Sequence, residues 1–96
     1  MSRHVTKDEL NAALEAWCTA RETTAMEQAA WGTILHNHDS LINSLRENGH
    51  SWADAEEEFS RISKGHAETL MKHWKNMDRL CSEYREIRKR FLSQQQ

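Results

Sequence analysis

From Leu10 onward, apolar and small side chains recur at alternating steps of four and three: Leu10, Leu14, Trp17, Arg21, Thr24, Gln28, Trp31, Leu35, His38, Ile42 and Leu45. That period marks one face of an α-helix. The stripe is apolar at both ends and polar in the middle. There Cys18, Ala25 and Ala29 are the neighbouring small residues expected to take over the inward face, which amounts to a stutter in the heptad pattern. A second stripe runs through Trp52, Ala55, Phe59, Ile62, His66, Leu70, Trp74, Met77, Cys81, Tyr84, Ile87 and Phe91. Strand-like alternation is absent from the sequence.

The breaks between stripes carry their own signals. Thr6-Lys7-Asp8-Glu9 fits a capping box at the start of the first helix. Asn48-Gly49-His50-Ser51 combines a residue pair that favours positive φ with a serine suited to cap the next helix. The expectation is one all-α domain over residues 1–96. It has a helix over about 7–47, a turn at 48–51, a helix over about 52–92 and a frayed tail at 93–96. Each helix would then be roughly 60 Å long. Two sites offer a break, giving three or four helices instead: a second capping box at Thr24-Ala25-Met26-Glu27, affecting 22–24, and Gly65.

A turn between residues 49 and 50 makes an antiparallel hairpin, in which residues whose numbers add to about 99 face each other. That rule sets Cys18 against Cys81, Ala25 against Trp74, Ala29 against Leu70, Trp17 against Ser82, Trp31 against Ala67 or Glu68, and Arg21 against Asp78. Small residues meet large ones and opposite charges meet where the stripe turns polar.

Composition supports long helices. There is no proline, there are three glycines, and the chain carries four tryptophans and four methionines. Those large residues exceed what one narrow two-helix seam covers, and a chain this small is marginal with one seam. The expectation is that another chain covers the excess, either a second copy or a larger protein. Trp17, Trp31, Met71, Trp74 and Met77 are the candidate contacts, since tryptophan-centred patches dominate interface energetics.

The net charge of −2 argues against a bulk nucleic-acid binder. Charge is nevertheless segregated. Residues 1–50 hold 4 Lys/Arg against 7 Asp/Glu, whereas residues 72–90 hold seven bases against three acids. Lys72, Lys75, Arg79, Arg85, Arg88, Lys89 and Arg90 are therefore candidate contacts for nucleic acid or an acidic partner, flanked by Tyr84 and Phe91. Their other reading is complementarity to the helix dipole.

The remaining chemistry is thin. His36 and His38 are two apart and cannot chelate one ion from a single helix face. Two cysteines make no disulfide framework; the expectation is two buried thiols acting as small hydrophobes in a reducing cytoplasm. Lys7-Asp8-Glu9-Leu10 is a retention signal only at a C-terminus. No phosphate loop, metal-ligand spacing or nucleophile–base arrangement is present, so no cofactor, metal or catalytic residue is expected. No apolar run approaches the 18 or so residues of a membrane span, and no signal peptide is visible. Two long helices in about a hundred residues resemble the WXG-100 class of secreted bacterial proteins in size and layout. The chain departs from that class at Trp52-Ala53-Asp54, where the class has Trp-x-Gly, and at Arg88, four residues after Tyr84, where it has Asp or Glu. The functional expectation is a non-enzymatic helical interaction protein, a regulator, inhibitor or chaperone-like adaptor of bacterial or phage type. The alternative is a nucleic-acid-binding accessory protein.

Overall fold

The computed structural model describes residues 4–95. Among them are three helices and no strand: α1 (Lys7–His36), α2 (His38–Glu47) and α3 (Trp52–Gln94). No helix is long and apolar enough to cross a membrane. The architecture is an all-α antiparallel hairpin, with α3 as the return arm.

The ends of the helices form as the local chemistry requires. The Glu9 backbone N–H donates to the Thr6 hydroxyl at 3.1 Å, and the Asp54 N–H donates to the Ser51 hydroxyl at 3.2 Å. At the turn, the Gly49 N–H donates to the Arg46 carbonyl and the His50 N–H to the Leu45 carbonyl. This is the Schellman pattern, and Gly49 supplies its positive φ of 99°.

The expected unbroken first helix is corrected at Asn37, which separates α1 from α2 with φ −96° and ψ 22°. The break falls at neither of the sites expected from sequence. Thr24 does not cap; its hydroxyl donates back to the Ala20 carbonyl within the helix at 2.7 Å. Gly65 lies inside α3, where its carbonyl accepts from the Thr69 hydroxyl. Asn37 is a poor helix former, and the distortion there is confined to one residue. The Asn37 N–H still donates to Thr33, and the Leu41 N–H to Asn37, at 3.0 Å each.

The chain packs as two units. One joins the residues up to Thr24 with those from His73 onward; the other is Ala25–Lys72. In the first, the inward positions of α1 are Leu10, Ala13, Trp17, Ala20 and Thr24, opposed by His73, Met77, Leu80, Tyr84, Ile87, Phe91 and Gln94 of α3. In the second, Glu27, Trp31, Ile34, His38, Leu41, Ile42 and Leu45 face Ala55, Phe59, Ile62, His66 and Leu70. Its core is Ile42, Ala55 and Phe59, with Ile34, Leu41 and Leu45 packed around them. Ile42 is 1% exposed, a burial that contributes roughly 2 kcal/mol.

These positions correct four of the eleven residues of the first stripe. Leu10, Trp17, Thr24, Trp31, His38, Ile42 and Leu45 face inward as expected, but Leu14, Arg21, Gln28 and Leu35 are exposed. Ala13, Ala20, Glu27 and Ile34 occupy the seam instead. The small side chains of Ala13 and Ala20 let the helices approach closely, which outweighs the larger apolar area of Leu14. The stutter moves as well. The α1 positions keep strict three-four spacing, whereas Ile62, His66 and Leu70 on α3 take two successive steps of four.

The hairpin opposition holds to within two positions at Val5–Gln94, Trp17–Tyr84, Thr24–His73 and His38–Phe59. Individual pairings differ. Trp17 stacks on Tyr84 rather than meeting Ser82, and the Arg21 guanidinium lies over the Trp17 ring at 5.3 Å rather than pairing with Asp78. Cys18 is exposed and both cysteines are free thiols, so Cys18 is no part of a buried pair. Nor does the tail fray at Ser93. Gln94 stays helical because its side chain accepts from the Val5 N–H at 2.6 Å and donates to the Val5 carbonyl at 2.9 Å. Gln96, also assigned to the frayed tail, lies outside the described residues.

Candidate functional site

Seven described residues are buried, and no tryptophan is among them. The four tryptophans have separate surroundings. Trp17 is half-buried against Tyr84, with ring centroids 5.5 Å apart and planes inclined by 23°. Trp31 is half-buried in the second unit, where its indole N–H is enclosed without an acceptor. Trp52 is exposed at the start of α3 and carries the Arg46 guanidinium over its ring at 5.4 Å. Trp74 is 41% exposed, and no described aromatic or cation packs on it.

The structure therefore divides the residues expected to bind a partner. Trp17, Trp31 and Met77 serve the seams within the two units. Met71, in the second unit, and Trp74, in the first, face outward. Trp74 leaves the seam because His73 takes the inward position, with its carbonyl 3.3 Å from the Thr24 hydroxyl.

Within the first unit, Trp74 belongs to a second stripe along α3. Trp74, Asp78, Cys81, Arg85, Arg88 and Leu92 follow one another at steps of four and three, so they share one face. Cys81 is half-buried and the others are exposed, Leu92 at 48%. On α1, Leu14 and Arg21 directly follow the seam residues Ala13 and Ala20, as Trp74 and Cys81 follow His73 and Leu80. In an antiparallel pair, positions so placed border the same edge. The result is a mixed face on which Leu14, Trp74, Cys81 and Leu92 alternate with Arg21, Asp78, Arg85 and Arg88. Leu14, Arg21, Cys81 and Leu92 were not among the sequence candidates for contact. Leu14, Arg21 and Cys81 fit the period of the expected seam, and only the burial of their neighbours Ala13, Ala20 and Leu80 places them one position outside it.

All seven candidate basic residues are exposed. Two are tied down: Arg79 pairs with Glu83 at 2.7 Å and with the Asn76 side chain, and Arg90 pairs with Glu86 at 3.7 Å. Lys72, Lys75, Arg85, Arg88 and Lys89 make no ion pair with a described residue.

The second unit contains an open groove of about 550 Å³ lined by Glu27, Arg61, Ile62, Gly65, His66 and Thr69. Arg61 is engaged by Glu58, and that guanidinium holds the Glu58 carboxyl below its ordinary value. Among the described residues no group of three or more His, Cys, Asp or Glu side chains is placed to hold a metal ion. No protein-family model, curated protein or solved structure matches the chain.

Proposed function

We propose that the protein is a non-enzymatic helical interaction module that docks the Trp74 face of its first unit on another protein, as a regulator, inhibitor or adaptor does. The observation that carries this reading is the contrast between two tryptophans of one unit. Trp17 is used internally, stacked on Tyr84, whereas Trp74 stands exposed on an outer face of α3 that also carries Arg85 and Arg88. An exposed indole suits an anchor in a partner's apolar pocket, and the arginines further along the same face suit acidic groups beyond its rim. The two free thiols suit a reducing cytoplasm.

A second reading rests on Lys75, Arg85, Arg88 and Lys89, which are exposed and without an ion pair among the described residues. Such a cluster beside an exposed indole also suits a nucleic-acid backbone, where binding weakens steeply with salt.

Both readings are tested by immobilising the wild-type chain and a Trp74→Ala variant and comparing what each retains from extract with and without nuclease treatment. The protein-binding reading expects a discrete protein retained by the wild type and lost with the variant at unchanged melting temperature. Retention that survives Trp74→Ala contradicts it. Loss of retention on nuclease treatment, with steep salt dependence, replaces it by the second reading.

A further inference from the structure

The sharpest unexplained geometry lies at the break between α1 and α2. His38 is the first residue of α2, immediately after Asn37. Its Nδ1 lies 3.0 Å from the Asp39 carboxylate, and its Nε2 lies 3.2 Å from the Glu56 carboxylate of α3. The imidazole and the Phe59 ring meet edge to face, with centroids 4.6 Å apart at 86°. A carboxylate can only accept. A neutral imidazole has one N–H, so it can satisfy one of these neighbours and must turn a lone pair on the other. Only the doubly protonated ring donates to both.

We infer that His38, in its imidazolium form, is a pH-dependent clamp that fastens the start of α2 to α3 and so holds α2 over the Ile42–Ala55–Phe59 core.

The two carboxylates do different work. Asp39 is the adjacent residue on α2 and is almost fully exposed, so its contact travels with α2 wherever α2 goes. Glu56 belongs to α3, and its contact exists only while α2 is closed on α3. The hydrogen bond to Asp39, followed by that to Glu56, raises the His38 pKa above its ordinary value of 6.5. Only the Glu56 share couples protonation to closure. These are the charged groups acting on the ring from α2 and α3; none from α1 contributes. His50, beyond the far end of α2, offers its Nδ1 to the Leu45 carbonyl, a bond that neutral and charged rings both make.

The sign follows from the raised value. The clamp is fully engaged below pH 6.5 and is lost as pH rises through the higher pKa of the closed state. Release is local, because α2 joins α1 through a residue already outside helical geometry. The ring and the Glu56 carboxylate are both about one-third exposed, so salt weakens the clamp.

The test uses the full chain. Ring proton NMR follows the histidines between pH 5 and 9, with His38 assigned through His38→Gln. Amide exchange, expressed as protection factors, follows Leu41–Leu45 over the same range, with Ala13–Ala20 as the internal control. The expected result is a His38 pKa above 6.5 that falls in Glu56→Gln. Protection over Leu41–Leu45 should drop roughly two- to fivefold through that titration. The control amides should stay level, and the step should vanish in His38→Gln. A His38 pKa at or below 6.5 overturns the proposal even if a variant fails to fold. So does flat α2 protection in the wild type, or a step that persists in His38→Gln.

Discussion

The Trp17 indole lies stacked on the Tyr84 ring, 5.5 Å away and inclined by 23°, and this contact joins α1 to α3 at the middle of the first unit. Arg21 covers the indole with its guanidinium, one turn further on. If the stack holds the two helices in register, removing either ring should cost roughly 2 kcal/mol, less than a fully buried aromatic. A double-mutant cycle of Trp17→Ala and Tyr84→Ala should return a coupling of about 1 kcal/mol in urea unfolding. Additive single effects would mean that the rings merely fill space.

Gln94 ties the far end of α3 to Val5 through both atoms of its amide. Gln94→Ala should therefore cost about 1 kcal/mol. The loss should be local: the Val5 amide should exchange freely in the variant while amides around Ala20 keep their protection. Equal loss at both places would contradict an end clamp.

Gly49 closes α2 with a φ of 99°. A side chain there has open space around it but a strained backbone. Gly49→Ala should thus destabilise the chain by about 1 kcal/mol through strain alone. Thermal unfolding checks this, and an unchanged melting temperature would show that the turn relaxes.

Much of this fold was legible in the sequence. The caps at Thr6 and Ser51, the turn at Gly49 and the opposition of the two arms all follow from local chemistry and spacing. The inner and outer positions of α1 were less legible, because Leu14 and Ala13, or Arg21 and Ala20, fit the period equally well. Size favours Leu14, whereas close approach of the helices favours Ala13, and only packing across the hairpin decides between them. The break at Asn37 was hidden for a related reason. Its neighbour His38 is engaged by Glu56, eighteen positions away. Of the candidate site, Trp74 and the basic residues were legible as residue types. Their division into seam and outer face was not, since it depends on His73 taking the inward position.

Trp74 should behave opposite to Trp17. Trp74→Ala should leave stability within about 0.5 kcal/mol, as expected for an exposed position, while abolishing partner retention. Trp17→Ala should lower stability first and binding only as a consequence. Urea unfolding and retention measured on the same two variants separate these outcomes.

The most direct measurement places a photo-crosslinking residue at position 74 and, in a separate variant, at the exposed outer position Glu22, in cells that make the protein. Illumination should give a discrete protein adduct from position 74, with a second copy or another chain, and none from position 22. No adduct at position 74, or the same adducts at both positions, would contradict the assignment of this face to a protein partner.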